Sequence, residues 1–250
     1  MLRQERIPAF AGMMRWLGIA RRQAFAFPSN HGSLPARGAD PREIREESRV
    51  AFALRITRII DEISRLVGLV AVWMVLLSAA VSAVNALFRY STGGMLWFER
   101  TYGGGVFGWL LKLYSTNSNT LSESVWYMFA AMVMLGGAWA LKMNEHVRVD
   151  LIYGAVSEKA RTWIDLLGGL FFLMPLCVLM IYFTWPWFVQ SYVSHEGSLN
   201  AGGLIRWPAK LMIPLGFAVL GLQGVAEIIK CILALTTDYV REFAYEKPLQ

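Results

Sequence analysis

The chain has 250 residues, of which 56% are hydrophobic and only 17% charged, with a mean hydropathy of +0.42 and a formal net charge of +6. A soluble globular domain has about 25% charged residues, so this composition disfavours a soluble protein and favours a membrane protein. Long apolar runs beside the basic charge favour anionic lipid headgroups over nucleic acid as its partner.

The first 50 residues are rich in arginine and proline, and all twelve basic residues from Arg3 to Arg65 are arginines. We expect residues 1–50 to form a disordered cytoplasmic tail. Residues 46–65 then alternate apolar and charged side chains at helical spacing, with Phe52 and Ile59 on the apolar side and Arg58 on the other. This pattern predicts an amphipathic helix in the membrane interface, with a cytoplasmic coiled segment as the alternative.

Four stretches are apolar enough to cross a bilayer. Residues 66–88 contain no charge and exceed the roughly 20 residues that a spanning helix needs. The other predicted spans are residues 124–141, 164–193 and 210–235. The sequence therefore predicts an all-α membrane protein whose transmembrane domain covers residues 51–237, followed by a cytoplasmic tail at 238–250.

The segment between the first two spans is rich in glycine, with pairs or runs at Gly93–Gly94 and Gly103–Gly105. Residues 96–113 carry aromatic and charged side chains and predict a second, broken amphipathic helix in the interface. Residues 116–120 are polar, and we expect them to form a turn.

A charged connector at residues 141–159 lies between the second and third spans, as in a chain that turns around at a membrane surface. With four spans and the N-terminus inside, the inner segments hold nineteen Lys and Arg residues and the outer segments five. This difference predicts that both termini are cytoplasmic.

No pattern for catalysis or metal binding is present, and the three histidines are not placed to hold haem within the membrane. We therefore expect no enzyme activity and no cofactor. The polar residues with a predicted structural or interface role are Asn85, Arg89, Glu145, His146, Arg148, Asp150, Glu196, Trp207, Lys210, Gln223 and Glu227.

These residues carry different expectations. Gln223 and Glu227 share one face of the fourth span, where hydrogen bonding between helices is favoured over an ion path. The connector group from Glu145 to Asp150 is expected to anchor at headgroups and fix the hairpin, with a ligand site as the alternative. The loop at 196–210 is either a contact for a periplasmic partner or only a tight connector.

Several segments in series resemble the small membrane subunit of tripartite ATP-independent periplasmic (TRAP) transporters, most closely its mannitol or chloroaromatic subgroup. The resemblance covers about residues 56–235 and rests on NALFRY (85–90), SNTLSESVWYMFAA (118–131), NEHVRVDLIYG (144–154), ARTWIDLLGGLFFLMP (160–175), EGSLNAGGLIRWPAK (196–210), IPLGF (213–217) and LQGVAEIIK (222–230). The arginine-rich tail and the long glycine-rich insertion depart from the pattern.

The resemblance implies a scaffold role in the bacterial inner membrane. The partners that it implies are a large membrane subunit, which carries substrate and sodium, and a periplasmic solute-binding protein that captures an organic acid or related solute. Two other hypotheses remain: an anchor subunit of a redox complex, and a self-sufficient small transporter.

Overall fold

A computed structural model describes residues 41–103, 105–144 and 156–237 of the chain. The chain divides into two units, Met1–Ser48 and Arg49–Gln250, and the packing described below belongs to the second. In the described part we number four long helices: α1 at Pro41–Tyr102, α2 at Val106–Lys142, α3 at Glu158–Val193 and α4 at Trp207–Thr236. Within α3, residues Gly169–Leu173 form a π-helical turn.

All four helices are long and apolar enough to cross a membrane, and no strand occurs among the described residues apart from one isolated bridge, Gly197 to Ile205. The predicted all-α membrane fold with four membrane-spanning helices is confirmed. The predicted spans 66–88, 124–141, 164–193 and 210–235 fall within α1, α2, α3 and α4 in that order.

The two predicted interfacial helices are not separate elements. Residues 46–65 continue without interruption into the first span, because no glycine or proline occurs between Arg42 and Val67 to end the helix. The glycine pair at 93–94 lies inside α1. The break comes instead at Gly103 and Gly105, whose φ angles of 67° and 68° suit glycine, so that residues 96–113 are divided between α1 and α2.

The expected polar turn at residues 116–120 is also wrong, because these residues continue α2. Two of their side chains bond back to the preceding turn: Thr116 Oγ1 donates to the Lys112 carbonyl at 2.9 Å, and Asn117 Nδ2 donates to the Leu113 carbonyl at 2.8 Å. Polar residues at this density favour turns in water, but here these donors are satisfied within the helix, and Asn119 and Thr120 donate to carbonyls of the loop that follows α3.

Small residues let the helices approach closely. A Cβ atom on Gly68 of α1 would lie 2.8 Å from the Trp139 ring on α2, and one on Gly216 of α4 would lie 2.8 Å from the Met134 carbonyl oxygen. The most apolar stretch of α4 is 39% buried, against 6% for that of α3. Helix α4 therefore forms the centre of the bundle and α3 its periphery.

Candidate functional site: polar clusters at the two ends of the bundle

The Gln223 side chain on α4 is fully buried and joins two helices. Its Oε1 accepts a hydrogen bond of 2.7 Å from Ser64 Oγ on α1. Its Nε2 donates to Asp61 Oδ1 on α1 at 2.9 Å and to Glu227 Oε1, one turn along α4, at 3.0 Å. Both ends of the amide are therefore satisfied, as a buried polar group requires.

Lys230 completes this group. Its ammonium lies 2.9 Å from both carboxylate oxygens of Asp61 and 2.9 Å from Glu227 Oε1. From α2, Lys142 Nζ donates to the backbone carbonyl of Asp61 at 3.1 Å. We call this group the inner polar cluster; its members are Asp61, Ser64, Lys142, Gln223, Glu227 and Lys230.

The inner polar cluster is sheltered from solvent, since the Lys230 and Asp61 side chains are 12% and 16% exposed. The Lys230 ammonium lies 2.9 Å from oxygen atoms of both the Asp61 and the Glu227 carboxylates. Charged groups in such surroundings are stable only when they are paired. The arrangement ties α1, α2 and α4 together, and both carboxylate oxygens of Asp61 and Oε1 of Glu227 bind donors of the chain itself.

A second group lies at the opposite end of the bundle, where residues 194–206 join α3 to α4. The Glu123 carboxylate on α2 accepts hydrogen bonds from Asn200 Nδ2 at 2.9 Å, from the Leu204 backbone N–H at 2.6 Å and from Ser198 Oγ. Tyr127 donates to the Ile205 carbonyl at 3.0 Å. We call Glu123 together with residues 194–206 the outer clasp.

The loop of the outer clasp is folded against α2. Asn119 donates to the Ala201 carbonyl at 2.9 Å, and Thr120 donates to the carbonyl of Gly202. Gly202 has a φ of 71°, and a Cβ atom there would lie 2.5 Å from the Thr116 carbonyl oxygen. Only glycine fits this position, because both the backbone conformation and the space exclude a side chain.

The loop is also tied to the start of α4. The Glu196 carboxylate binds the Lys210 ammonium and lies 3.7 Å from the Arg206 guanidinium. The Lys210 ammonium holds the pKa of Glu196 below its usual range, since it stabilises the ionised carboxylate. Lys210 also lies 4.4 Å from the centre of the Trp187 ring, and Trp207 meets Tyr192 edge to face at 5.4 Å.

Asn85 connects α1 to α2 on the same side of the bundle as the clasp. Its Nδ2 donates to Ser122 Oγ at 3.1 Å, and its Oδ1 accepts from the Tyr114 hydroxyl at 3.1 Å. One turn further on, Arg89 is exposed. Charged residues therefore lie at two heights along the bundle, which we call the charged levels. One is formed by Arg89, Glu123 and Lys210, and the other by the inner polar cluster.

The structure brings the predicted residues into two groups, Gln223 with Glu227 in the inner polar cluster and Glu196, Trp207 and Lys210 around the outer clasp. Glu145, His146, Arg148 and Asp150 lie outside the described residues. Sequence reasoning missed Asp61 and Glu123 as partners.

The signal for Asp61 was its spacing. It lies four residues after Thr57 and three before Ser64, both of which are buried, so these three residues share the inward face of α1. The signal for Glu123 was weaker. It is a single charge at the start of an apolar run and gives no indication of which loop it binds.

The family comparison bears on this four-helix arrangement. A family model described as "Tripartite ATP-independent periplasmic transporters, DctQ component" matches residues 106–234, which is 129 of the 250 residues. The chain belongs to the DctQ family. The match begins at the first residue of α2 and takes in both the outer clasp and the α4 part of the inner polar cluster. No curated protein and no solved structure matches the chain.

Membership identifies the chain as a component of a TRAP transporter, in a family of transport components rather than enzymes. The family also implies association with a large membrane subunit and a binding protein. The resemblance that the sequence motifs indicated is confirmed at this level.

Proposed function

We propose that the chain is the stationary scaffold subunit of a sodium-driven TRAP transporter that takes up an organic acid or related solute from a periplasmic binding protein. We also propose that the chain belongs to the mannitol or chloroaromatic subgroup of these small subunits. The large membrane subunit then moves solute and sodium, and the present chain holds that subunit in place in the bacterial inner membrane.

The observation that carries the proposal is the pairing of the charged side chains in the inner polar cluster. The Lys230 ammonium binds the Asp61 and Glu227 carboxylates, and Gln223 donates a hydrogen bond to each of them. A transport path needs polar groups that exchange partners with an ion or solute. The bonds that these side chains make within the chain favour a structural role for Gln223 and Glu227.

The distances between charged levels support a membrane placement. Arg65 and Arg89, Glu123 and Lys142, and Lys210 and Lys230 are separated by 24, 19 and 20 residues, or about 36, 29 and 30 Å along a helix. A hydrocarbon layer about 30 Å thick fits between these levels. We assign the inner polar cluster to the cytoplasmic side, because most Lys and Arg residues flank that end.

The remaining predicted residues fit an interface role. Arg89 is exposed, and Ser82 and Ala83 on α1 are exposed as well, although Ser78 on the same helix is buried. Small exposed residues allow another helix to approach closely. We propose that this part of α1 contacts the large subunit. We further propose that Glu196 of the outer clasp, with Trp207 and Lys210 at the start of α4, fixes the outer rim of that contact.

A mild-detergent purification of the chain from its native membrane, with mass spectrometry of the proteins that co-purify with it, tests the proposal. A larger polytopic protein recovered at one-to-one ratio is the expected result. Ser82→Leu should lower that recovery, and Trp126→Leu, at an exposed apolar position on α2, is the matched control. Recovery of a redox enzyme, or of the chain alone, would contradict the scaffold role.

A further inference from the structure

Helices α1 and α2 continue past the outer charged level as an antiparallel pair. We call this part the outer hairpin: α1 from residue 89 to 102 and α2 from residue 106 to 119. Phe88 stacks on Tyr114 at its base, with ring centres 5.4 Å apart, and Phe98 packs on Phe107 near its tip at 4.8 Å. The two helices are therefore in contact at the base of the pair and near its tip.

The tip of the outer hairpin is closed by specific contacts. The Gly108 backbone N–H donates to Glu99 Oε2 at 3.2 Å, and the Gly103 N–H donates to the Glu99 carbonyl at 3.0 Å. At the base, Asn85 joins the two helices and the outer clasp holds α2 through Asn119 and Thr120. These bonds make the hairpin a built extension of the bundle.

The hairpin reaches beyond the lipid. From Arg89 to Tyr102 the chain rises thirteen residues, or about 20 Å along a helix. The headgroup layer adds only about 5–8 Å on each side of the hydrocarbon. With the charged levels placed as above and the helices along the membrane normal, the tip extends past the headgroup layer, within reach of a soluble protein.

The exposed side chains of the outer hairpin indicate which kind of surface it could bind. Trp97 and Trp109 are each 62% exposed and Tyr102 is 68% exposed, although all three lie near the tip, away from the apolar spans. Aromatic side chains of this kind dominate the binding energy of protein interfaces. The charged residues of the hairpin are Arg89, Arg100 and Lys112 against Glu99, a net positive balance.

We propose that the outer hairpin is a docking arm for the transporter's soluble solute-binding protein. The complementary surface of that protein would carry acidic residues and pockets for the aromatic side chains. The inference rests on the proposed function for the existence of that partner. The basic side chains steer the acidic surface towards the membrane complex, and the aromatic tip holds it there. A docking arm of this kind raises the local concentration of loaded binding protein above the large subunit.

The test uses the full complex with the large subunit in nanodiscs and a titration with the purified binding protein. Arg100→Glu with Lys112→Glu should weaken binding about tenfold or more at low salt and remove most of its salt dependence. Trp97→Ala with Trp109→Ala should weaken binding by about tenfold without changing the salt dependence. Lys159→Glu, an exposed charge at the start of α3, and Trp126→Ala are the matched controls.

Unchanged affinity in both double variants would overturn the docking arm. So would a fluorophore on Tyr102→Cys that reports a lipid environment, or a hairpin-dependent doubling of the mass of the complex. Recovery of the large subunit with every variant shows that folding and scaffold function are intact. Failure of the docking arm is therefore distinct from failure of the proposed function, in which the large subunit is not recovered at all.

Discussion

The inner polar cluster and the outer clasp both join segments that are distant in the sequence, but they differ in their exposure to solvent. Each uses a carboxylate to join segments far apart in the sequence, Asp61 to α4 and Glu123 to the loop before α4. The inner carboxylates face an ammonium in sheltered surroundings, whereas Glu123 accepts from neutral donors close to the outer surface. The cost of losing a contact therefore depends on which groups it leaves unpaired and on how dry their surroundings are.

The largest effect should come from Lys230→Met. This change leaves the Asp61 and Glu227 carboxylates facing each other without their shared cation, and breaking a buried ion pair costs about 3–5 kcal/mol. The measurement is reversible unfolding of the purified chain in detergent. The neutral variant Asp61→Asn/Glu227→Gln/Lys230→Met is the control and should recover much of the loss. If Lys230→Met were as stable to unfolding as wild type, the ion pairs of Lys230 would contribute nothing to stability.

A smaller effect is expected from Gln223→Leu. The change removes the acceptor of Ser64 and one donor to each carboxylate, while Lys230 still pairs both, so the loss should be about 1–3 kcal/mol. Unfolding under the same conditions measures it. Leu222→Ala, at the exposed neighbouring position, should change stability by less than about 1 kcal/mol. Equal losses in the two variants would place Gln223 outside any specific network.

At the outer end, Glu123→Gln should cost about 1 kcal/mol or less, because the group is near solvent and its donors can turn to water. The change should appear instead as faster hydrogen exchange at residues 198–206. Exchange at residues 223–231 serves as the internal control and should not change. Loop exchange equal to wild type would mean that Glu123 does not hold the clasp.

The smallest effect is a pH dependence at Glu196. The Lys210 ammonium depresses the pKa of Glu196 in the folded chain below its ordinary value of 4.5, so its contribution is complete above that value. It is lost as the pH falls through the depressed folded pKa. Acid titration of loop exchange should show loosening only below about pH 4.5. Lys210→Met should move this loosening to higher pH, and an unchanged midpoint would argue against the pair.

The sequence predicted the helices better than their ends. Four spans follow from uninterrupted apolar runs, which depend on composition alone. The long α1 was divided in two because amphipathic residues 46–65 and apolar residues 66–88 differ in pattern, although nothing between them ends a helix. The polar residues 116–120 predict a turn because such side chains compete for backbone hydrogen bonds. In the structure Thr116 bonds within the helix, and the bonds of Asn119 and Thr120 to the clasp loop depend on tertiary contacts.

For the polar clusters, spacing within one helix was informative and spacing between helices was not. Gln223 and Glu227 lie one turn apart, so their shared face followed directly from the sequence. The bonds of Gln223 to Asp61 and Ser64 join residues about 160 positions apart, and helix packing determines them. The same holds for Glu123, whose loop partners lie beyond the whole of α3.

In the proposed scaffold role, the polar groups of the inner polar cluster hold the helices together and do not carry sodium or solute. The most direct test is solute uptake by reconstituted complexes that carry Asp61→Asn/Glu227→Gln/Lys230→Met, with uptake normalised to the amount of assembled complex. We expect sodium-dependent uptake per complex within about twofold of wild type, because the proposed role of these groups is structural. Full assembly with uptake abolished would contradict the claim and would place the inner polar cluster in the transport path.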